Sequence, residues 1–251
     1  MLTSTFIHAS GVGRSTEQRI WEQGIITWHD FLELHERVKL SEMQRSVLID
    51  TVADSIERLE QRDYTYFANL LPANEHWRAF DEFGSSIAFV DIETTGNYGD
   101  DRITVIGLYN GRDLKQFVRD VNLEEFELEA EKYSMLATFF GTTFDLPRIR
   151  YEFRGMKLDQ LHVDLCFALR RLGITGGLKR IEQTLGLRRS CVTQGLDGWD
   201  AVKLWQEYQR GSADALELLL SYNAEDVVNL KFLMDYAYNE LKKRCFCRVG
   251  A

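Results

Sequence analysis

Apolar positions change their period once along the chain. Between Glu17 and Arg62 they recur at helical spacing: Ile20, Trp21 and Ile25, then Phe31, Leu32 and Leu34, then Val47, Leu48, Val52, Ile56 and Leu59. This spacing predicts a small all-helical module. Composition shifts around Leu71-Pro72-Ala73-Asn74, so the expected division is a helical domain over 1–75 and a second domain over 76–251. Inside the first, Gly11-Val12-Gly13 leads into Thr16-Glu17-Gln18-Arg19-Ile20-Trp21, a helix-hairpin-helix-like turn. Such a turn exposes backbone N–H groups that can hold phosphate, although the acidic balance of the module favours a packing role.

Past the boundary the period becomes that of strands. Ile87–Thr94, Ile103–Tyr109 and Leu114–Val118 read as a three-stranded antiparallel meander, with turns at 96–101 and 109–113 and a hairpin signal at Asn110-Gly111. A helix near Leu123–Lys132, a short strand over Ser134–Phe140, a helix from about Leu146 and a strand at Leu161–Val163 follow. Helices are expected at Leu165–Leu172, Leu178–Leu185, Ala201–Tyr208 and Ala213–Lys243. Strands first, then helices alternating with strands, then helices alone predict an α/β fold with a mixed sheet flanked by helices.

Charge refines this picture. The chain of 251 residues carries a formal net charge of −9, which argues against a protein that coats nucleic acid. The imbalance is local: residues 1–75 hold seven Lys/Arg against twelve Asp/Glu, whereas residues 148–189 hold ten against four. Arg148, Arg150, Arg154, Lys157, Arg170, Arg171, Lys179, Arg180, Arg188 and Arg189 therefore form a candidate phosphate track, or an ordinary solvated face. No apolar run approaches the about 20 residues that span a bilayer, and Met1-Leu2-Thr3-Ser4-Thr5-Phe6 lacks the pattern of a secretion signal. Four cysteines at 166, 191, 245 and 247 form no paired C-x-x-C sites, as expected of reduced thiols in a cytoplasmic protein without membrane association.

Candidate chemistry concentrates on acids. In Ala88-Phe89-Val90-Asp91-Ile92-Glu93-Thr94-Thr95-Gly96 two carboxylates stand two positions apart on an apolar strand, hence on one face of it. Like charges held that close repel unless a cation lies between them or one is protonated, and hard oxygen ligands suit Mg²⁺ or Mn²⁺. The competing reading is a strand edge whose acids face water. Asp145, after Gly141-Thr142-Thr143-Phe144, stands at a helix start and could equally cap it. Tyr222 and Asp226 lie four apart on one face of the last helix. Asp164 reads as an accessory acid or as a strand-end cap. His8, His29, His35, His76 and His162 form no ligand pair, and Trp21, Trp28, Trp77, Trp199 and Trp205 are expected in packing rather than as base-stacking platforms.

Together these residues resemble the DEDD superfamily of 3′–5′ exonucleases, over roughly residues 85–240: Asp91-Ile92-Glu93, then Phe144-Asp145, then Tyr222 through Asp226. The tyrosine four before the last acid marks the DEDDy branch. Leu161-His162-Val163-Asp164-Leu165, with Gly177-Leu178-Lys179-Arg180-Ile181-Glu182, looks like the exonuclease domain of family B DNA polymerases. The whole chain is similar to stand-alone YprB-type predicted exonucleases. The resemblance implies a ribonuclease-H-like fold and two divalent cations, Mg²⁺ or Mn²⁺, held by Asp91, Glu93, Asp145 and Asp226. Asp91 would bridge the ions and Tyr222 would orient the attacking water. Thr94, Thr95 and Gly96 would let the terminal nucleotide approach the backbone, and Phe144 would stack on a base. The implied partners are 3′ ends of single-stranded DNA or RNA, with DNA favoured. The alternatives are a catalytically weak nucleic-acid-binding module and a structure-specific endonuclease on the same scaffold.

Overall fold

The computed structural model describes residues 1–97 and 101–247. The centre of the turn expected at 96–101, residues 98–100, lies outside the described residues. The chain forms two compact units: Met1–Ser85 with Asp159–His162 and the segment from Tyr238 onward, and Ser86–Leu158 with Val163–Ala237.

The first unit is helical. Its helices are α1 (Arg14–Glu22), α2 (Trp28–Leu34), α3 (Glu42–Glu60), α4 (Tyr64–Leu70) and the short α5 (Phe80–Phe83). Side chains fix where three of them start. Thr27 with Asp30, and Ser41 with Gln44, form reciprocal capping boxes, and Asp63 accepts from the Tyr66 N–H. Helix α4 was not expected, because its Tyr-Thr-Tyr-Phe start reads as strand-like by propensity. Packing against the core overrides that preference: Phe67 stacks on Trp28 with ring centroids 6.1 Å apart. Two buried indoles of this unit find acceptors, Trp28 donating to the Thr5 carbonyl at 2.7 Å and Trp21 to that of Ser4 at 2.9 Å.

This unit also buries ions. The Arg78 guanidinium, 2% exposed, donates to both oxygens of Glu17 at 2.9 and 3.0 Å, and through Nε to Glu75 at 2.6 Å. Arg14 pairs with the other Glu75 oxygen, and the Phe6 N–H donates to Glu17 at 2.8 Å.

The second unit holds the sheet apart from the first residues of its last strand. Strands β1 (Ile87–Thr94), β2 (Ile103–Tyr109), β3 (Leu114–Val118), β4 (Met135–Thr138) and β5 (Leu161–Asp164) lie in the order β3-β2-β1-β4-β5. The first pairings are antiparallel, and β1 pairs parallel with β4, so the sheet is mixed as expected. Helices α6 (Glu125–Ala130), α7 (Asp145–Glu152), α8 (Leu165–Arg171), α9 (Leu178–Thr184), α10 (Gly198–Gln209) and α11 (Ala213–Phe246) flank it. One apolar cluster includes Val90, Ile92, Ile106, Leu108, Leu136 and Ile149, and a second joins Val105, Val118, Ala201, Trp205, Leu219 and Tyr222.

The β2–β3 connection departs from a two-residue hairpin. Tyr109 faces Leu114 across a four-residue loop, in which the Asn110 side chain accepts from the N–H groups of Arg112 and Asp113 at 2.9 and 2.8 Å. Asn110 thus closes its own turn by side-chain hydrogen bonds. Among the described residues no helix is long and apolar enough to cross a membrane.

Candidate active site

Strand β1 sets the site. Asp91 is opposite Gly107 and Glu93 opposite Val105, and the register shifts immediately after Glu93. Irregularities of this kind re-aim the side chains beside them. From α11, Asp226 meets this pair: the oxygens of Asp91, Glu93 and Asp226 lie within 4.8 Å of one another. Asp145, the first residue of α7, is buried, and its carboxylate accepts from its own N–H and that of Ile92. The bond to Ile92 seats it beside β1. A cavity of about 210 Å³ opens here, lined by Asp91, Ile92, Glu93, Thr94, Phe144, Gly198, Val202, Tyr222 and Asp226.

The electrostatics are one-sided. Burial, followed by the charges of Asp226, Glu93 and Asp145, raises the Asp91 carboxyl well above the usual range. Glu93 is raised in the same way by burial and by Asp226, and Asp226 by burial against the pull of Arg189. Burial, helped by the charge of Asp164, pushes Asp145 up to about 7. Of these four acids only Asp226 has an ion pair among the described residues, with Arg189. The donor set is all oxygen, tightly grouped and short of positive charge, so it fits a hard divalent cation.

Three supports were not legible as such in the sequence. Asn223, fully buried on α11, donates to the Asp91 carboxylate at 3.1 Å and to its carbonyl at 3.4 Å. Gln116 on β3 donates to the Asn223 carbonyl oxygen at 3.2 Å and so fixes which end of the amide faces Asp91. Gly107 makes room: a Cβ there would lie 2.3 Å from Asn223 Oδ1. The sequence signal is a lone glycine inside an otherwise apolar strand, which marks close approach of another element.

Two members of the basic segment turn inward. Arg189 makes a bidentate pair with Glu182 at 2.7 and 2.9 Å and also reaches Asp226. Asn229 donates to Glu182 at 3.0 Å. The loop that delivers Arg189 is tied down by Glu225, which accepts from the Ser190 N–H at 2.8 Å and from the Thr193 hydroxyl. Lys179 donates to the Tyr222 hydroxyl at 2.9 Å and to the Leu196 carbonyl. Burial lowers the Lys179 pKa, whereas burial and then the charges of Asp226, Glu93 and Asp91 raise that of Tyr222. The phenol stays protonated at neutral pH.

The other expected residues separate. Thr94 and Phe144 line the cavity, and the Arg148 guanidinium sits 3.7 Å over the Phe144 ring while pairing with Asp101 at 2.7 Å. Thr95 and Gly96 lie just outside. The Thr95 N–H donates to the Arg102 carbonyl at 2.9 Å and the Gly96 N–H to Asp101 at 2.9 Å. Gly96, at φ 67°, has no room for a Cβ, which would lie 2.8 Å from Val202. Asp164 is engaged as a cap, accepting from the N–H groups of Phe140, Thr142 and Cys166 at 2.9, 2.9 and 3.1 Å. It thereby shapes the loop that leads to Asp145. Trp199 was expected in packing and is instead 68% exposed.

A five-stranded mixed sheet with carboxylates on its central strand and on the last helix is a nuclease-type α/β fold. Residues 88–238 match the family model described as the RNase_H superfamily, and the chain belongs to that superfamily. The ribonuclease-H-like expectation holds at this level. Among solved structures, a family B DNA polymerase from the hyperthermophilic archaeon Pyrobaculum calidifontis is similar at 13% identity and a TM-score of 0.48. The likeness covers 60% of this chain and 24% of the polymerase, so the chain spans about a quarter of that protein. No curated protein sequence matches the chain.

Proposed function

We propose that the protein is a metal-dependent 3′–5′ exonuclease of DEDDy type that hydrolyses phosphodiester bonds in single-stranded nucleic acid, with DNA the favoured polymer. The observation that carries this reading is the surplus of acid. Asp91, Glu93 and Asp226 converge within 4.8 Å, Asp145 raises the Asp91 pKa further, and among the described residues the one ion pair to these acids is that of Arg189 with Asp226. Asp91, Glu93 and Asp226 would hold one divalent cation, and Asp145 with Asp91 a second. Two such ions, Mg²⁺ or Mn²⁺, would supply an activated water and offset charge on the departing 3′-oxygen.

The chain's own groups do the rest. Asn223 holds Asp91 in one orientation through its hydrogen bond. The Tyr222 hydroxyl, anchored by Lys179, is a protonated phenol that orients the attacking water and does not act as its base. Phe144, braced by Arg148, offers a face to the terminal base, and Thr94 with the backbone before Gly96 leaves space for the sugar. Water adds to phosphorus as the P–O3′ bond breaks, and the released 3′-oxygen ends as a hydroxyl.

The test is digestion of matched single-stranded DNA and RNA oligonucleotides, with free and blocked 3′ ends, in Mg²⁺, Mn²⁺ or EDTA. Laddering from free 3′ ends that needs metal and disappears in Asp91→Ala is the expected result. Cleavage of a circular strand would replace the exonuclease by an endonuclease. Wild-type cleavage by Asp91→Ala would end the reading.

A further inference from the structure

Trp199 stands apart from the other tryptophans. Trp21, Trp28, Trp77 and Trp205 are each 2% exposed or less, whereas Trp199 is 68% exposed. An indole left this open on a soluble domain forgoes a large burial gain, so its position matters. It lies in the first turn of α10, between Gly198 and Val202, both of which line the acidic cavity. Helical geometry explains the orientation. Ala201 and Trp205 point into the core, and Trp199 lies about 200° around the helix from Ala201. Val202 and Lys203, three and four residues on, share the Trp199 face.

The mount is rigid. The Asp197 carboxylate accepts from the N–H groups of Trp199 and Asp200 at 2.8 and 3.1 Å, and Asp200 accepts from the Asp197 N–H at 3.1 Å, a reciprocal capping box. Val202 packs where a Cβ on Gly96 would fall, which docks the helix start against the end of β1. Among the described residues Lys203, 67% exposed, pairs only with its neighbour Asp200 at 2.9 Å, an exposed pair of small worth that a phosphate can displace.

We propose that Trp199 is a stacking platform for a base of the single-stranded substrate, the one next to the nucleotide held in the acidic cavity, with Lys203 meeting the adjoining phosphate. The occupant follows from continuity with the cavity and from the pairing of a flat aromatic face with a cation one helical turn away, the combination that holds single strands without reading their sequence. This rests on the nuclease reading above and adds to it a second contact on the substrate strand.

The test uses the whole protein and a short oligothymidylate in EDTA, which permits binding without cleavage. With four indoles buried, quenching of tryptophan emission reports Trp199. Saturable quenching by the single strand and not by a duplex is expected. Trp199→Ala should bind about tenfold to a hundredfold more weakly, and Trp199→Phe should recover most of that loss. In the presence of metal, Trp199→Ala should raise KM more than it lowers kcat, and an oligonucleotide with one abasic position at the stacked base should abolish the difference between variant and wild type. An unchanged melting temperature for the variants confirms that folding is intact.

Binding and KM in Trp199→Ala equal to wild type would overturn the platform while leaving the nuclease standing. So would emission that responds to protein concentration through self-association instead of to the strand. Failure of the wild type both to bind and to cleave any single strand would overturn the two readings together.

Discussion

Two buried clusters of acid in this molecule are built on opposite terms. In the helical unit, Glu17 and Glu75 share the guanidinium of Arg78, and Arg14 and the Phe6 N–H take up further lone pairs. Every charge there has its partner within the chain. In the sheet unit, Asp91, Glu93 and Asp226 line one cavity, with Asp145 acting on Asp91 from beside it, and the inward cations are already divided: Arg189 is shared with Glu182, and Lys179 is turned to a phenol and a carbonyl. The same side chains therefore do different things. Where the count of charge closes, the cluster is structural; where it stays open, it can take a proton or a cation from solution.

The contrast can be broken from either side. The largest effect is expected in the closed cluster. Arg78→Met strands the buried Glu17 carboxylate and leaves Glu75 with Arg14, and urea denaturation should show a loss of about 3–5 kcal/mol, unaffected by added Mg²⁺.

In the open cluster removal of charge should act in the opposite sense. Asp145 titrates at about 7 in the fold, above its unfolded value, so its contribution is present in acid and is lost as pH rises between about 4 and 7. In chelator, the stability of wild type relative to Asp145→Asn should fall across that window by an amount on the order of a few kcal/mol. Curves that stay parallel from pH 4 to 7 would contradict the shift.

Adding Mg²⁺ or Mn²⁺ at pH 7 should raise the melting temperature of wild type, corresponding to about 2.7 kcal/mol at a hundredfold excess over Kd. Asp91→Asn and Asp226→Asn should lose this response. The smallest effect belongs to the supporting amide. Asn223→Ala should weaken metal binding by about 10–100-fold, read by calorimetry, with little change in the metal-free melting temperature beyond that of a cavity.

Much of the fold was legible because the strands announce themselves. Ile87–Thr94, Ile103–Tyr109 and Leu114–Val118 occur over the residues that their apolar runs and flanking turns indicated. The acids Asp91 and Glu93 were visible for the same reason, since two residues on one strand share a face. What stayed hidden depends on elements far apart in sequence. Asn223 matters because α11 crosses β1, and Arg189 because Glu225 and Glu182 steer its loop inward. Neither crossing has a local signature. Trp199 is a different kind of miss: the expected helix began at Ala201, whereas α10 starts at Gly198, and carrying the period of Ala201 and Trp205 back over that added turn puts Trp199 on the opposite face.

The space above Gly107 has a further consequence, for how this sequence can change. The Asn223 carbonyl oxygen fills the room a Cβ would need, and the Gln116 amide sets that oxygen's direction. Positions 107, 116 and 223 are thus locked as a trio across two strands and a helix. A descendant chain that gains a side chain at 107 must shorten or re-aim the one at 223, and the residue at 116 then loses one of its two acceptors while keeping the Leu220 carbonyl. Drift at these sites has to be concerted, so in divergent sequences the three positions should change together or not at all.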